Sequence, residues 1–382
     1  NATPLAGTQT RQTAFDYEPV TGLLIEETLE PNHATLRLGT DYLYDAYGNQ
    51  IGVTITGPGI ASRTTTASFD ARGQFPNRAT NALGHTASST YDPLFGVPLT
   101  QTGLNGLTTS WQYDTLGRQI KETRPDGTTT TKTYNLCTVD CENDYKLDIT
   151  TQSTGGVPTT VYYDKLGREF LTLTHGFDNR LIETRTFYDA LGRVEVVTEP
   201  YYQDDFEIYQ SFYEYDILGR QVLVFKPDDS TVDTIYDGLM TLTFNSLGQF
   251  SLKVNNSQGQ LEVSVDSDNS NITYAYDPFG NLTQVVDPLG NTIDISYNIR
   301  GEKTAMTDPN MGSWTYAYDA LGQLITQTDA KGQTTSNEYD LLGRLTQRTE
   351  VEGTSTWVFD TGNMAIGKLT QVTGADGSIQ TN

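Results

Sequence analysis

The chain is poor in the residues that most often do chemistry. In 382 residues it has three histidines and two cysteines. His33, His85 and His175 are far apart in the sequence, which argues against histidine-based acid–base or nucleophilic catalysis, and two cysteines cannot complete a structural zinc site. Neither a Gly-x-Ser-x-Gly elbow nor a His-Glu-x-x-His pair occurs. No apolar run reaches the roughly 18 residues that a membrane-spanning helix needs. Cations are scarce as well: 24 Lys and Arg face 48 Asp and Glu, for a net charge of −24. Nucleic acid and anionic membrane surfaces carry the same sign, so neither is an expected partner. Glycine or proline interrupts every candidate amphipathic helix. The first residue is asparagine, with no charged-then-apolar leader after it, so the chain reads as an excised or processed portion of something longer.

What the chain does have is a period. Tyr276, Tyr297, Tyr318 and Tyr339 follow one another at intervals of 21 residues. Three of them open a Tyr-Asp-x-x-Gly motif: Tyr276, Asp277 and Gly280; Tyr318, Asp319 and Gly322; Tyr339, Asp340 and Gly343. Earlier copies are Tyr44, Asp45 and Gly48; Tyr113, Asp114 and Gly117; Tyr163, Asp164 and Gly167; Tyr188, Asp189 and Gly192; and Tyr215, Asp216 and Gly219. Phe69 and Phe244 open variants, and looser copies begin at Phe15, Tyr91, Tyr134, Tyr236 and Phe359. A fixed period over nearly the whole chain predicts a repeat array in which each unit buries apolar surface mainly against its neighbours. Residues 1–382 thus read as one continuous array. Within it, 1–40 are degenerate first repeats, 135–162 an enlarged loop holding the cysteines, 237–275 irregular repeats and 276–359 the most regular ones.

Each period encodes two turns and two short strands. In Asp277-Pro278-Phe279-Gly280 the Asp can accept from the backbone two residues on, Pro presets φ, and Gly tolerates the left-handed conformation. After the next turn, Ile293, Ile295 and Tyr297 alternate with Thr292, Asp294 and Ser296, the period-two pattern of a half-buried strand. The expected fold class is all-β, a repeat array of antiparallel β-hairpins forming a long coiled sheet, since long open sheets twist. Some fifteen periods predict about thirty strands. The motif tyrosines would stand in register as a stacked ladder. The Thr-rich run 128–133 predicts a wetted face.

Cys137 and Cys141 sit in a 29-residue interval between Tyr134 and Tyr163. They read as a small loop disulfide, with two inert thiols as the alternative. The motif carboxylates already have turn duties, so no catalytic pair and no enzyme is expected. Calcium is the one cofactor the loops could take, through Asp266, Asp268 and Asn269 or through Asp140, Glu142 and Asp144. Tyr201, Tyr202, Tyr209, Phe212 and Tyr213, and the tryptophans Trp111, Trp314 and Trp357, suit a carbohydrate-binding face if their rings point outward. A core role competes with that reading. Bare strand edges would also permit self-association into filaments.

Tyr-Asp-x-Leu-Gly-Arg at Tyr113, Tyr163, Tyr188, Tyr215 and Tyr339 resembles the YD repeat of the RHS-repeat family, and the resemblance covers most of the chain. That family includes bacterial polymorphic Rhs toxins, B and C components of insecticidal toxin complexes, and teneurins. The resemblance implies a β-sheet strip that spirals into a hollow shell, here a wall segment of a secreted or cell-surface bacterial protein. Its partners would be the rest of the same polypeptide or an effector cargo. After Phe359 the sequence shows no shell-closing plug, cleavage segment or toxin domain.

Overall fold

In the computed structural model, residues 10–138 and 145–381 are described, and none of them is helical. Among these residues there are 34 strands, from β1 (Thr13–Tyr17) to β34 (Ile379–Thr381), all in one antiparallel sheet. Most are five to seven residues long. The regularity follows from hairpin logic, with each strand pairing to the next through a short turn, as in Thr326↔Ser336 and then Ser336↔Thr349. One exception occurs at β15 (Leu181–Tyr188). Its first half pairs with the two-residue β17 (Tyr201–Tyr202) and its second half with β16 (Val194–Thr198).

Successive turns alternate between the two edges of an antiparallel sheet. Most Tyr-Asp turns lie on one edge, called here the YD edge, and the intervening turns lie on the far edge. The stretch from 237 to 275 keeps this hairpin order with altered chemistry. A tight turn at Gly238 and Leu239 closes one hairpin, and the Phe244 motif consequently falls on the far edge.

The interval around the cysteines corrects the expected enlarged loop at 135–162. Much of its described part is strand: β11 (Thr129–Leu136) runs eight residues and β12 (Tyr145–Ser153) nine, paired from Thr130↔Ser153 to Leu136↔Leu147. The cause is composition, since Ile149, Thr150 and Thr151 suit a pleated surface. Cys137 is disulfide-bonded, and Cys141 lies outside the described residues, as do Asp140, Glu142 and Asp144.

Little of the sheet is buried. Among the described residues the buried hydrophobic side chains are Leu36, Cys137, Ala320 and Ala365, and no large side chain is fully enclosed. Backbone ladders and cross-strand pairs therefore carry much of the cohesion. Threonines meet across strands, as in Thr90 with Thr100 at 2.6 Å and Thr328 with Thr334 at 2.9 Å. The wetted face expected at 128–133 is only partly so: Thr130 is buried, and its hydroxyl receives Arg124 Nη2 at 2.6 Å.

Two compact units emerge. The first comprises Asn1–Thr109, Ala275–Val285 and Asn291–Asn382, and the second Ser110–Tyr274 and Val286–Gly290. Each is treated separately below.

Candidate functional site at the repeat turns

The Asp of the motif organises its turn with both carboxylate oxygens. At Asp216, Oδ1 accepts the backbone N–H groups of Leu218 and Arg220, each at 2.9 Å, while the Gly219 N–H reaches the Asp216 carbonyl. Gly219 stands at φ +80°, the left-handed conformation that closes a type I turn with a bulge. The bulge shows in the ladder, where Glu214↔Leu223 is followed by Tyr215↔Gln221. Asn replaces Asp at Asn245 with the same two backbone bonds. Asn179, Asp229 and Asn269 occupy the left-handed position in place of glycine, at φ 65°, 63° and 60°.

The second oxygen holds the arginine that ends the motif. Asp216 Oδ2 accepts Arg220 Nε at 2.7 Å and Nη2 at 2.6 Å, and the same clamp recurs at Asp114, Asp164, Asp189 and Asp340. So fixed, the guanidinium lies over an aromatic ring of the following period. Arg118 covers Tyr134, Arg168 covers Tyr188, Arg193 covers Tyr215, Arg220 covers Tyr236 and Arg344 covers Phe359, all at 4.3–4.6 Å from the centroid. At these five positions this corrects the expected tyrosine ladder, because the motif ring meets a guanidinium, which its negative face attracts, rather than another motif ring.

The ring hydroxyl adds a third link. Tyr134, Tyr188, Tyr215, Tyr236, Tyr297 and Tyr339 each donate to the carbonyl of the first strand residue after the preceding YD-edge turn, for example Tyr215 to Val194 at 2.7 Å. Burial pushes the Tyr188 and Tyr215 hydroxyls above the ordinary phenol range. Burial also pushes the Asp164, Asp189, Asp216 and Asp340 carboxyls upward, but the backbone and arginine hydrogen bonds outweigh it and leave each below its usual value. Arginine was the residue without an assigned role in the sequence reading, although its fixed place four positions after Asp was the available signal.

Within the first unit the two edges meet. Far-edge turns between Gly57 and Gly106 contact YD-edge turns about 260 to 275 positions later. Asn105 clips Ile366 with two hydrogen bonds, Nδ2 to the carbonyl and the backbone N–H to Oδ1, each at 2.9 Å. Arg63 Nη2 donates to Gln323 Oε1 at 2.6 Å. His85 Nε2 lies 4.0 Å from Asp360 Oδ2. Ala320 is completely buried at this contact, within van der Waals reach of Gly57.

The other candidate residues do not assemble. Asp266 Oδ1 accepts the backbone N–H groups of Asp268 and Ser270, so this carboxylate performs the same turn duty as the motif Asp. Among the described residues no group of three acidic, histidine or cysteine side chains is placed to hold a metal. Trp111, Trp314 and Trp357 are half-buried, as are Tyr201, Tyr202 and Tyr213, while Tyr209 and Phe212 are exposed. Tyr201 is engaged by the buried Glu183 at 2.9 Å and by Arg185 at 3.1 Å.

A strip of hairpins with two distinct edges and a repeated Asp–Arg–aromatic clamp defines an all-β repeat protein. Residues 256–292, 297–334 and 318–355 match the family described as RHS Repeat, and the chain carries the RHS repeats that its motifs resemble. No curated protein sequence matches it. Solved structures share its fold. The crystal structure of TcdB2-TccC3-TEV superposes with a TM-score of 0.72 at 14% identity, covering 95% of this chain and 25% of that one. The Tc holotoxin pore of Photorhabdus luminescens, carrying a TccC3 mutation, gives 0.70 at 14% identity, covering 96% and 24%. The chain therefore spans about a quarter of the length of these structures. No described helix is long and apolar enough to cross a membrane.

Proposed function

We propose that this chain is a scaffold: a wall segment of a secreted or cell-surface RHS protein that encloses or carries an effector domain lying outside these residues. The observation that carries the reading is the occupation of the repeated side chains. In the Tyr215 motif Asp216, Arg220, Tyr215 and Gly219 are all used within the strip, on turn, clamp, carbonyl and left-handed backbone respectively, and the clamp recurs at Asp114, Asp164, Asp189 and Asp340. That leaves the motif without a free group for turnover, and no enzymatic role is proposed. The fold likeness to TcdB2-TccC3 structures, one of them described as lacking a hypervariable C-terminal region, supports attachment of a variable domain to such a wall.

Protease protection tests containment. In the polypeptide that bears this strip, an attached domain is expected to survive trypsin while the edge contact is intact. It should become cleavable when Arg63→Ala and Asn105→Ala open that contact. Equal cleavage in both forms rejects the reading.

A further inference from the structure

Asn105 and Gly106 form the one Asn-Gly pair among the 382 residues. In such a pair the asparagine carboxamide lies within reach of the next backbone nitrogen, and glycine has no Cβ to hinder the approach. In the first unit the pair occupies the turn between strands Pro98–Thr102 and Thr108–Tyr113, with Gly106 exposed at φ +74°. Both reacting groups are tied down there. The Gly106 N–H donates to the Gly103 carbonyl at 2.9 Å. The carboxamide is held by Ile366, since Nδ2 donates to its carbonyl and Oδ1 accepts its N–H, each at 2.9 Å. Asn245 and Asn256 also cap turns through Oδ1, but each is followed by serine, whose Cβ obstructs the same attack.

We propose that Asn105 is a deamidation site gated by its contact with Ile366. Once that contact opens, the Gly106 nitrogen attacks Asn105 Cγ. A new N–Cγ bond forms, the Cγ–Nδ2 bond breaks, and Nδ2 leaves as ammonia with the proton that Gly106 gave up. Water then opens the cyclic imide on either side, leaving aspartate or isoaspartate at 105. The sum is carboxamide plus water to carboxylate plus ammonium, with no change of oxidation state. The product cannot restore the clip. A carboxylate has no N–H for the Ile366 carbonyl to accept, so two oxygens face each other where a hydrogen bond was. Isoaspartate also adds Cβ to the main chain and lengthens the turn that the Gly106 N–H now closes. Opening is therefore recorded irreversibly in each chain, and the chemistry is independent of what the strip encloses.

Mass-spectrometric peptide mapping of the full chain, incubated in warm neutral buffer, follows conversion at Asn105 beside Asn245 and Asn256. In urea, where no contact holds it, Asn105 should convert fastest of the three. In the folded chain its rate should fall at least about tenfold below that in urea. Ile366→Pro removes the N–H that Oδ1 accepts. Proline suits the position, because the Lys368 N–H bond to the Ala365 carbonyl at 3.0 Å and Gly367 at φ +85° make 366 the second residue of a type II turn. Losing one hydrogen bond should raise conversion at Asn105 about fivefold and leave Asn245 unchanged. Arg63→Ala, which loosens the same contact at Gln323, should act in the same direction. Adding Gly106→Ala to Ile366→Pro should remove the acceleration, since a Cβ then stands beside the attacking nitrogen. In Asn105→Asp the Ile366 amide should exchange about fivefold faster with solvent while Val372 stays protected. Conversion at Asn105 as fast in the folded chain as in urea, or equal rates in the wild type and both contact variants, would overturn the proposal. So would acceleration that Asn245 shares in both variants, acceleration that survives Gly106→Ala, or an Ile366 amide as protected in Asn105→Asp as in the wild type.

Discussion

Arg344 holds two carboxylates at once, Asp340 of its own turn at 2.7 Å and Asp360 of the following turn at 2.5 Å. Its guanidinium also lies 4.3 Å from the Phe359 ring centroid. Arg220, by contrast, clamps Asp216 alone and is 41% exposed. Arg344→Ala leaves two largely buried carboxylates facing each other, and should lower stability by about 2 kcal/mol. Arg220→Ala should cost less than about 1 kcal/mol. Urea midpoints of the two variants check the ranking.

The same pair sets an acid limit. Arg344 holds the Asp360 carboxyl down to about 2, below the value near 4 of an unfolded aspartate. A depressed folded pKa means that the stabilisation is complete above about pH 4 and is lost as pH falls towards about 2, by about 1–2 kcal/mol after solvent screening. Melting temperatures across this window should fall more steeply for the wild type than for Asp360→Asn. Parallel curves would remove Asp360 from the account.

Tyr215→Phe keeps the ring under Arg193 and deletes the bond to the Val194 carbonyl. The expected cost is about 1 kcal/mol, and Tyr215→Ala should cost more by losing the ring contact as well. Denaturant unfolding distinguishes the two steps. Natural Phe at 359 shows that the ring and cation suffice at one position.

At Gly219 an added Cβ would meet no heavy atom within 4 Å, so the cost of Gly219→Ala comes from its φ of +80° alone. It should be about 1 kcal/mol. Asn269→Gly, at φ 60°, should change stability little, because asparagine tolerates this region and glycine adds unfolded-state entropy. Thermal unfolding of both variants checks the contrast.

Asn105→Ala should loosen the edge contact locally. The Ile366 amide, which donates to Asn105 Oδ1, is expected to exchange faster with solvent, while Val372, paired with Gln380 inside the ladder, stays protected. Equal acceleration at both would indicate global destabilisation instead.

Much of this architecture is legible in the chain because its determinants are local. Asp277 and Gly280 are three residues apart, and the turn they make needs no distant partner: Phe279 and Asn281 supply the N–H groups that Asp277 caps. Ile293, Ile295 and Tyr297 alternate in burial with Asp294 and Ser296 as their pattern predicts. The cysteine interval was misread because length alone does not separate a longer loop from longer strands. The arginine clamp was missed for another reason: its carboxylate is local, but its ring belongs to the next period.

The amino-acid sequence by itself determined the period, the turn types and the alternation of each strand, since backbone conformation over four to seven residues is governed by side chains within that span. Tertiary structure decided which edge meets which. Arg63 and Gln323, or Asn105 and Ile366, are about 260 residues apart and belong to no common motif. Their encounter depends on the twist accumulated over many hairpins, and no short stretch of sequence encodes that sum.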